Sequence, residues 1–514
     1  MNHLEGYLLG LDIGSSSVKA SLISVATGAT IVSAQSPQDE MQIVAHQPGW
    51  AEQDPNLWWE HVVKSVRACL KKSELKPDAV LAIGVAYQMH GLVVVDRNLH
   101  PLRNAIIWCD SRAVEIGEKA FSELGKHYCL QHYLNSPGNF TASKLRWLKI
   151  NEPKIYERIY KIMLPGDFIA LKMTGEVTTT ETGLSEGIFW NFEEKEISKK
   201  LLDYYDIDPS ILAKVVPVFS KQGLLSKIAS SELGLAAKTP IAYRAGDQPN
   251  NAFSLNVLNP GEIAATAGTS GVVYGITDKN VFDTESRVNS FLHVNNDYHS
   301  KRNGVLLCVN GTGIQNNWLR KNIKGSNSSH DYEEMNKIAS QSLIGSEGVT
   351  VLPFGNGAER ILGNREINGS INGVNFNTHN QSHLFRAAQE GIVFALRFGF
   401  DILLEMGLKT KVIKAGNANM FLSPVFREAF VNSLDARLEL YNTDGSTGAA
   451  LGAGVGSGIY SSYAEAFRGL KLIGAEEPNP EKKGLYSKAY NRWRKILNEV
   501  LESNLNQPIK LARQ

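Results

Sequence analysis

The stretch Leu8-Leu9-Gly10-Leu11-Asp12-Ile13-Gly14-Ser15-Ser16-Ser17-Val18-Lys19 decides the architecture of this chain. Tyr7 to Asp12 has the apolar content of a buried strand, Val18 to Val25 reads as a second, and the glycine and serines between them form a tight turn. Such a turn is an anion pocket. Glycine lets the backbone approach closely, and successive amides with Ser hydroxyls donate without a full positive charge. The plan recurs in the other half, where Gly261 to Ala267 leads into Gly268-Thr269-Ser270-Gly271 and Val272 to Ile276 continues as a strand. Two hairpins of one design predict an α/β protein with two lobes of similar core facing each other across a cleft, dividing near residues 253 to 260 into 1–252 and 253–514.

Between these turns lies Ala245-Gly246-Asp247-Gln248, an acid at a turn. A phosphate gripped from both sides, with one carboxylate beside it, suggests phosphoryl transfer from a nucleotide. The remaining pattern is consistent with that chemistry. Leu57 to Lys72 has helical spacing, and Ala79 to Ala86 reads as a buried strand ending at Tyr87-Gln88-Met89-His90-Gly91, where loops commonly carry ligands. In the second half Leu384 to Met406 is a long helix, Val412 to Ala415 a strand, Gly416-Asn417-Ala418-Asn419 a turn, and Pro424 to Leu434 a helix whose start offers donors to a nucleotide. Tyr486, Tyr490, Trp493, Leu497, Val500 and Leu501 mark an amphipathic helix packed on the second lobe. Gly448 to Gly458 holds five glycines, and with no downstream ribose-binding acid it reads as close helix packing, not a dinucleotide fingerprint.

Composition bounds the partners. A chain of 514 residues exceeds one comfortable core, and 53 Lys plus Arg against 52 Asp plus Glu leave no basic footprint for nucleic acid or a membrane surface. The partner is a small molecule. Cys69, Cys109, Cys129 and Cys308 are scattered, without CxxC pairs or zinc-ligand spacing, and fit a reducing cytosol. Met1 to Glu5 has no basic flank, and no apolar run nears the roughly 20 residues that span a bilayer. A soluble, cytoplasmic protein is expected.

Each candidate residue also has a plainer use. Asp247 alone reads as a turn residue satisfying its own backbone. Asp12 alone reads equally well as a cap of its turn; beside phosphate, however, an acid is favourable only with a cation between them, which assigns Asp12 to Mg²⁺ through water. Lys19 lies along the next strand and reads as structural. Gln88 and His90 are neutral groups that pair with hydroxyls of an uncharged sugar, where an acid-binding pocket would carry arginine beside this turn. Trp108, Asp110 and Arg112 form a neighbouring cluster in which Asp110 is a candidate sugar contact; an Asp–Arg bridge with a packed tryptophan explains it as well.

The ordered set Leu11 to Lys19, Gln88-Met89-His90-Gly91, Ala245-Gly246-Asp247 and Gly268-Thr269-Ser270-Gly271 resembles the FGGY carbohydrate kinases, most nearly the xylulose kinases among them. Pro48 to Pro55, Phe140 to Leu148 and Gly448 to Ala453 extend the resemblance, which runs from about Tyr7 to Gly458. It implies two actin-like, ribonuclease-H-like lobes, sugar bound in the first and ATP mainly on the second. It implies Asp247 as general base, with Met89, His90 and Gln248 on the sugar. The phosphates would be held by Gly14, Ser15 and Ser16 opposite Gly268, Thr269 and Ser270, with Gly416 and Asn419 toward the adenosine, and a dimer is implied as well. The expected reaction is D-xylulose with MgATP giving D-xylulose 5-phosphate; kinases of ribulose, fuculose, gluconate or another polyol, or a non-catalytic actin-like nucleotide-binding protein, are the alternatives. Relatives carry three glycines before alanine where this chain has Ala415-Gly416-Asn417-Ala418, and asparagine where it has Gln248.

Overall fold

The computed structural model describes residues 6–325 and 331–505. Its first sheet has six strands, in the order Phe219–Leu224, Pro240–Gly246, Val80–Tyr87, Tyr7–Ile13, Val18–Ser24, Thr30–Ser36. Leu8, Leu9, Leu11 and Ile13 are wholly buried, as an apolar strand covered on both faces must be. Antiparallel pairing of Ile13 with Val18 closes the turn at residues 14–17. Tyr7–Ile13 also pairs in parallel with Val80–Tyr87, and that strand with Pro240–Gly246, so Ile13, Tyr87 and Gly246 end in register. The three segments singled out in the first half therefore leave the sheet at one edge, the carboxyl ends of parallel strands, where open α/β sheets bind ligands.

The second sheet has seven strands and repeats the plan. Ile263–Ala267 turns back antiparallel into Gly271–Thr277, with Ala267 opposite Gly271, and runs parallel to Val412–Gly416. The turns at 268–270 and after Gly416 thus share one edge as well. The helices form where apolar spacing predicts them, at Pro55–Ser73, Gln381–Glu405 and Pro424–Leu434. Pro55 occupies the first turn, where no amide is needed, and Asp54 caps it by accepting from Asn56 N at 2.9 Å. The helix Pro480–Leu505 buries Tyr486, Trp493 and Leu497 completely in the second core, with Tyr490, Val500 and Leu501 beside them.

Chain order and packing divide differently. The helix Gly445–Gly456 follows the second sheet's strand Arg437–Tyr441 yet lies on the first sheet. A Cβ on Gly10 would stand 1.9 Å from Ser446 O, and one on Gly84 1.9 Å from Ala449 O. A Cβ on Gly452 would stand 2.5 Å from the Tyr243 ring. The small-residue run is a helix pressed against strands. A shared core joins the halves elsewhere: Met89, Phe140 and Leu184 pack with Val272, Tyr274 and Phe291. Asn135 reinforces this seam by donating to Ser290 O (2.7 Å) and accepting from Ser290 N (3.0 Å).

Candidate active site

Asp12 is the penultimate residue of its strand, and burial raises its pKa to about 6, helped by the nearby Asp444 and opposed by Lys19. Asp444 caps the helix Gly445–Gly456, accepting from Thr447 N at 2.9 Å, and forms an ion pair with Lys19. Lys19 is thus engaged by Asp444. The turn after Asp12 is fixed from behind: Gly14 N donates to Ser17 O (3.0 Å), Gln53 Nε2 to Ser15 O (2.7 Å), and Met41 N to Ser16 O (2.7 Å). These bonds use carbonyls, which keeps the turn's shape while its Ser15 and Ser16 side chains stay partly exposed.

Asp247 opens the helix Asp247–Ser254 directly after its strand. Its carboxyl is raised to about 7, first by desolvation and then by the negative charge of Asp12, while hydrogen bonds from Gln248 oppose the shift. Its charge also acts on Cys308, which pairs with Val272 on the strand that leaves the second turn. Asp247 thus acts electrostatically toward both halves, on Asp12's strand and on Cys308's. Gly268 O accepts from Gly313 N at 3.0 Å and Thr269 O from Ile314 N at 3.3 Å, again bracing a turn through its carbonyls. Asn419, with a positive φ of 54°, brings its side-chain amide to 3.6 Å from where a Gly268 Cβ would stand. Beside it, Gly416 has Thr443 O 2.9 Å from its Cβ position. Gly268, Thr269, Ser270, Gly416 and Asn419 thus gather at one strand edge.

Gln88 and Met89 are buried, and Gln88 Nε2 donates to Gln53 Oε1 at 3.2 Å. His90 takes a positive φ of 61°, and its Nδ1 lies 2.9 Å from Glu186 O. A carbonyl only accepts, so Nδ1 carries the proton and Nε2 is left as an acceptor. Burial, seconded by the Lys144 charge, drops the imidazole's pKa to about 3 and keeps it neutral. Asp110 is committed to other partners. It is fully buried and accepts from Ala51 N at 2.6 Å and from the Arg112 guanidinium at 2.7 Å, while Arg112 stacks 3.8 Å over the Trp50 ring.

Three residues that sequence reasoning missed surround His90. Lys144 is wholly buried and donates to His90 O and Ile107 O, both at 2.9 Å, which fixes the loop. Glu186 supplies the carbonyl that orients the ring. Arg360, from the second half, acts electrostatically on His90, donates to Ser286 Oγ at 3.0 Å, and stacks 5.3 Å over Phe140. Phe140–Leu148 resembled the family in sequence, and Phe140 meets the His90 ring edge to face at 4.9 Å.

Among the described residues no three His, Cys, Asp or Glu side chains gather to hold a metal ion, and no helix is long and apolar enough to cross a membrane. Magnesium needs only one or two carboxylates because it keeps most of its waters. Asp12 and Asp247, two desolvated acids coupled by like charge, are a donor set of that kind.

The chain is 28% identical to the xylulose kinase of Staphylococcus epidermidis over 501 residues, covering 96% of this chain and 97% of the relative. Its fold superposes on the crystal structure of xylulose kinase from Rhodospirillum rubrum with a TM-score of 0.83 at 22% identity, covering 98% of this chain and all of that one. Gluconate kinase from Lactobacillus acidophilus matches with 0.83 and 22% over 97% and 99% of the two chains. The protein is a phosphotransferase with an alcohol group as acceptor, built on the actin-like, ribonuclease-H-like fold. Residues 7–254 match the N-terminal domain of the FGGY family of carbohydrate kinases. The chain is similar to that family over this domain, and to the relatives named above along nearly its whole length.

Proposed function

We propose that this sugar kinase transfers the γ-phosphoryl group of ATP to D-xylulose, giving D-xylulose 5-phosphate and ADP. The observation that carries the reading is Asp247: a desolvated carboxyl near neutrality, at the strand edge and acting electrostatically toward both halves. Its carboxylate takes the proton of the bound hydroxyl as that oxygen attacks the terminal phosphorus and the bond to the ADP oxygen breaks. General-base help of this kind contributes about 10²- to 10⁴-fold, and positioning with charge stabilisation supplies most of the rest. Gly14, Ser15 and Ser16 face the phosphates from one side and Gly268, Thr269 and Ser270 from the other. Gly416 and Asn419 line the adenosine side.

Asp12 would hold Mg²⁺ through water, and the ion, when bound, neutralises charge on the phosphate oxygens. Binding there also relieves the repulsion between Asp12 and Asp247. The neutral His90, with Nε2 free to accept, Gln88, Met89 and Gln248 receive an uncharged polyhydroxylated acceptor. Asp110 acts at one remove, holding Arg112 and the wall it forms. Closure of the halves excludes water, which would otherwise take the phosphoryl group.

A sugar acid is the second reading, favoured by one observation: the half-buried Arg360, whose Nε atom is itself buried without a hydrogen-bond partner, lies within electrostatic reach of His90. A carboxylate there would pair with the guanidinium. An ADP-coupled assay over ketoses, polyols and sugar acids separates the two. The account expects D-xylulose to give the highest kcat/KM; a preference for gluconate supports the Arg360 reading, and silence across the whole panel contradicts both.

A further inference from the structure

A cavity of about 510 Å³ opens along the seam between the halves, lined from the first by Phe121, Lys126 and Ser136 and from the second by Ser286, Arg360 and Phe398. Volumes of this order take small molecules. Neither Met89, His90 nor Asp247 lines it, so its occupant is not the acceptor. Arg360 Nη2 donates to Ser136 Oγ at 3.2 Å and to Ser286 Oγ at 3.0 Å, and Ser136 N donates to Ser286 Oγ at 3.0 Å. Both hydroxyls serve only as acceptors, so each keeps a proton to donate. The two serines are 8% and 6% exposed. Arg360 Nη1 makes no hydrogen bond, and Gly138, 3.3 Å away at its Cβ position, has no side chain to cover it. Three donors therefore meet on one wall, from both halves, with no acceptor to answer them.

The charge is unanswered too. Among the described residues no carboxylate pairs with Arg360, and desolvation lowers its pKa to about 10. The acid that acts on it, Asp283, is held by Arg287 at 2.7 Å. The wall adds Lys126 and Arg365, without an acidic partner among the described residues, against two acids, Glu118 and Glu285, which leaves the balance positive. A desolvated cation without a counter-charge is costly, and a bound anion removes the cost. Three donors suit a phosphoryl group, which presents three acceptor oxygens. Phe121, Phe398 and Leu501 give the cavity an apolar side as well, which suits an attached carbon skeleton.

We propose that this seam binds an organic phosphate, its phosphoryl oxygens accepting from Ser136, Ser286 and Arg360 and its carbon part resting on Phe121 and Phe398. The occupant touches both halves, and Arg360 stacks over Phe140, the ring that meets His90. It is therefore an effector of sugar binding. The effector role rests on the reading of the protein as a sugar kinase that closes on its acceptor; the binding site does not.

The test titrates phenyl phosphate into enzyme saturated with a non-hydrolysable ATP analogue and Mg²⁺, so that the turns at 14–17 and 268–271 are already filled. Calorimetry should show a saturable event, at least about tenfold weaker in Ser136→Ala/Ser286→Ala and at least about tenfold weaker for benzoate, which offers two oxygens on the same ring. No such event in wild type, an outcome needing no variant to fold, would overturn the site, as would equal affinity in the double variant. Benzoate binding as tightly would overturn the assignment to phosphate. The effector role is read from KM for the best acceptor of the panel, which phenyl phosphate should move by about fivefold or more in wild type and leave unmoved in the double variant. A wild-type KM that does not move, or one that moves equally in both, would overturn that role. Failure of the kinase reading looks different: wild type then makes no sugar phosphate, the effector role falls with it, and the titration still decides the site.

Discussion

Asp247 gains part of its chemistry from Asp12. Burial raises both, to about 7 and about 6, and the negative charge of Asp12 contributes to the rise at Asp247. A base must be deprotonated to act, so activity is present above the pKa and lost below it. The expected kcat/KM for sugar declines on acidification with an apparent pKa no higher than about 7, approaching tenfold per pH unit. In nucleotide-free Asp12→Asn, with the like charge gone, the Asp247 carboxyl should titrate lower than in wild type when followed by carbon-13 NMR. An unchanged titration would show that the two acids do not feel each other. These residues were legible in sequence because each flanks a glycine turn after an apolar run. Glu186, Lys144 and Arg360 were not: they lie outside such turns, and Arg360 is supplied to His90 by the opposite half. Their roles arise only when burial removes their water and leaves particular partners.

At the scale of elements, periodicity carried the sequence reading well, since 3.6-residue spacing and continuous apolar runs are local properties. Leu384 to Met406, Pro424 to Leu434 and the terminal amphipathic segment all form helices, displaced by a few residues at most. What residue order did not give was the address of Gly445–Gly456, which follows the second half's strands and packs on the first half's sheet. That depends on which strands present glycine. Gly84→Ala should therefore be costly, because its Cβ would lie 1.9 Å from a carbonyl oxygen on a rigid helix. A loss of about 1–3 kcal/mol or more, read by chemical denaturation, is expected for overpacking of this kind. Gly484→Ala is the matched opposite: helical, with nothing within 4 Å of its Cβ position. It should gain up to about 1 kcal/mol. Equal effects at the two positions would contradict the packing described for the crossing helix.

Across the whole molecule, the halves are tied by the crossing helix and by the seam of Asn135, Ser185, Ser290 and Leu292, while the turns at 14–17 and 268–271 belong to opposite sheets. Motion that brings the turns together therefore pivots about a packed side. Sugar with a non-hydrolysable nucleotide should slow amide hydrogen exchange in both turns together, and sugar alone should protect mainly residues 88–91. Protection of one phosphate turn without the other would count against a phosphate held from both sides. The duplicated hairpin made two lobes readable from sequence; the shared core did not, since its residues alternate between halves with no local signature.

The central claim is that Asp247 removes the acceptor's proton. Its most direct measurement is turnover of Asp247→Ala beside wild type, with sugar affinity of both determined by calorimetry. The account predicts turnover lower by about 10²- to 10⁴-fold at a sugar affinity within a few fold of wild type. Turnover retained within about tenfold, or a loss explained wholly by failure to bind sugar, would contradict it.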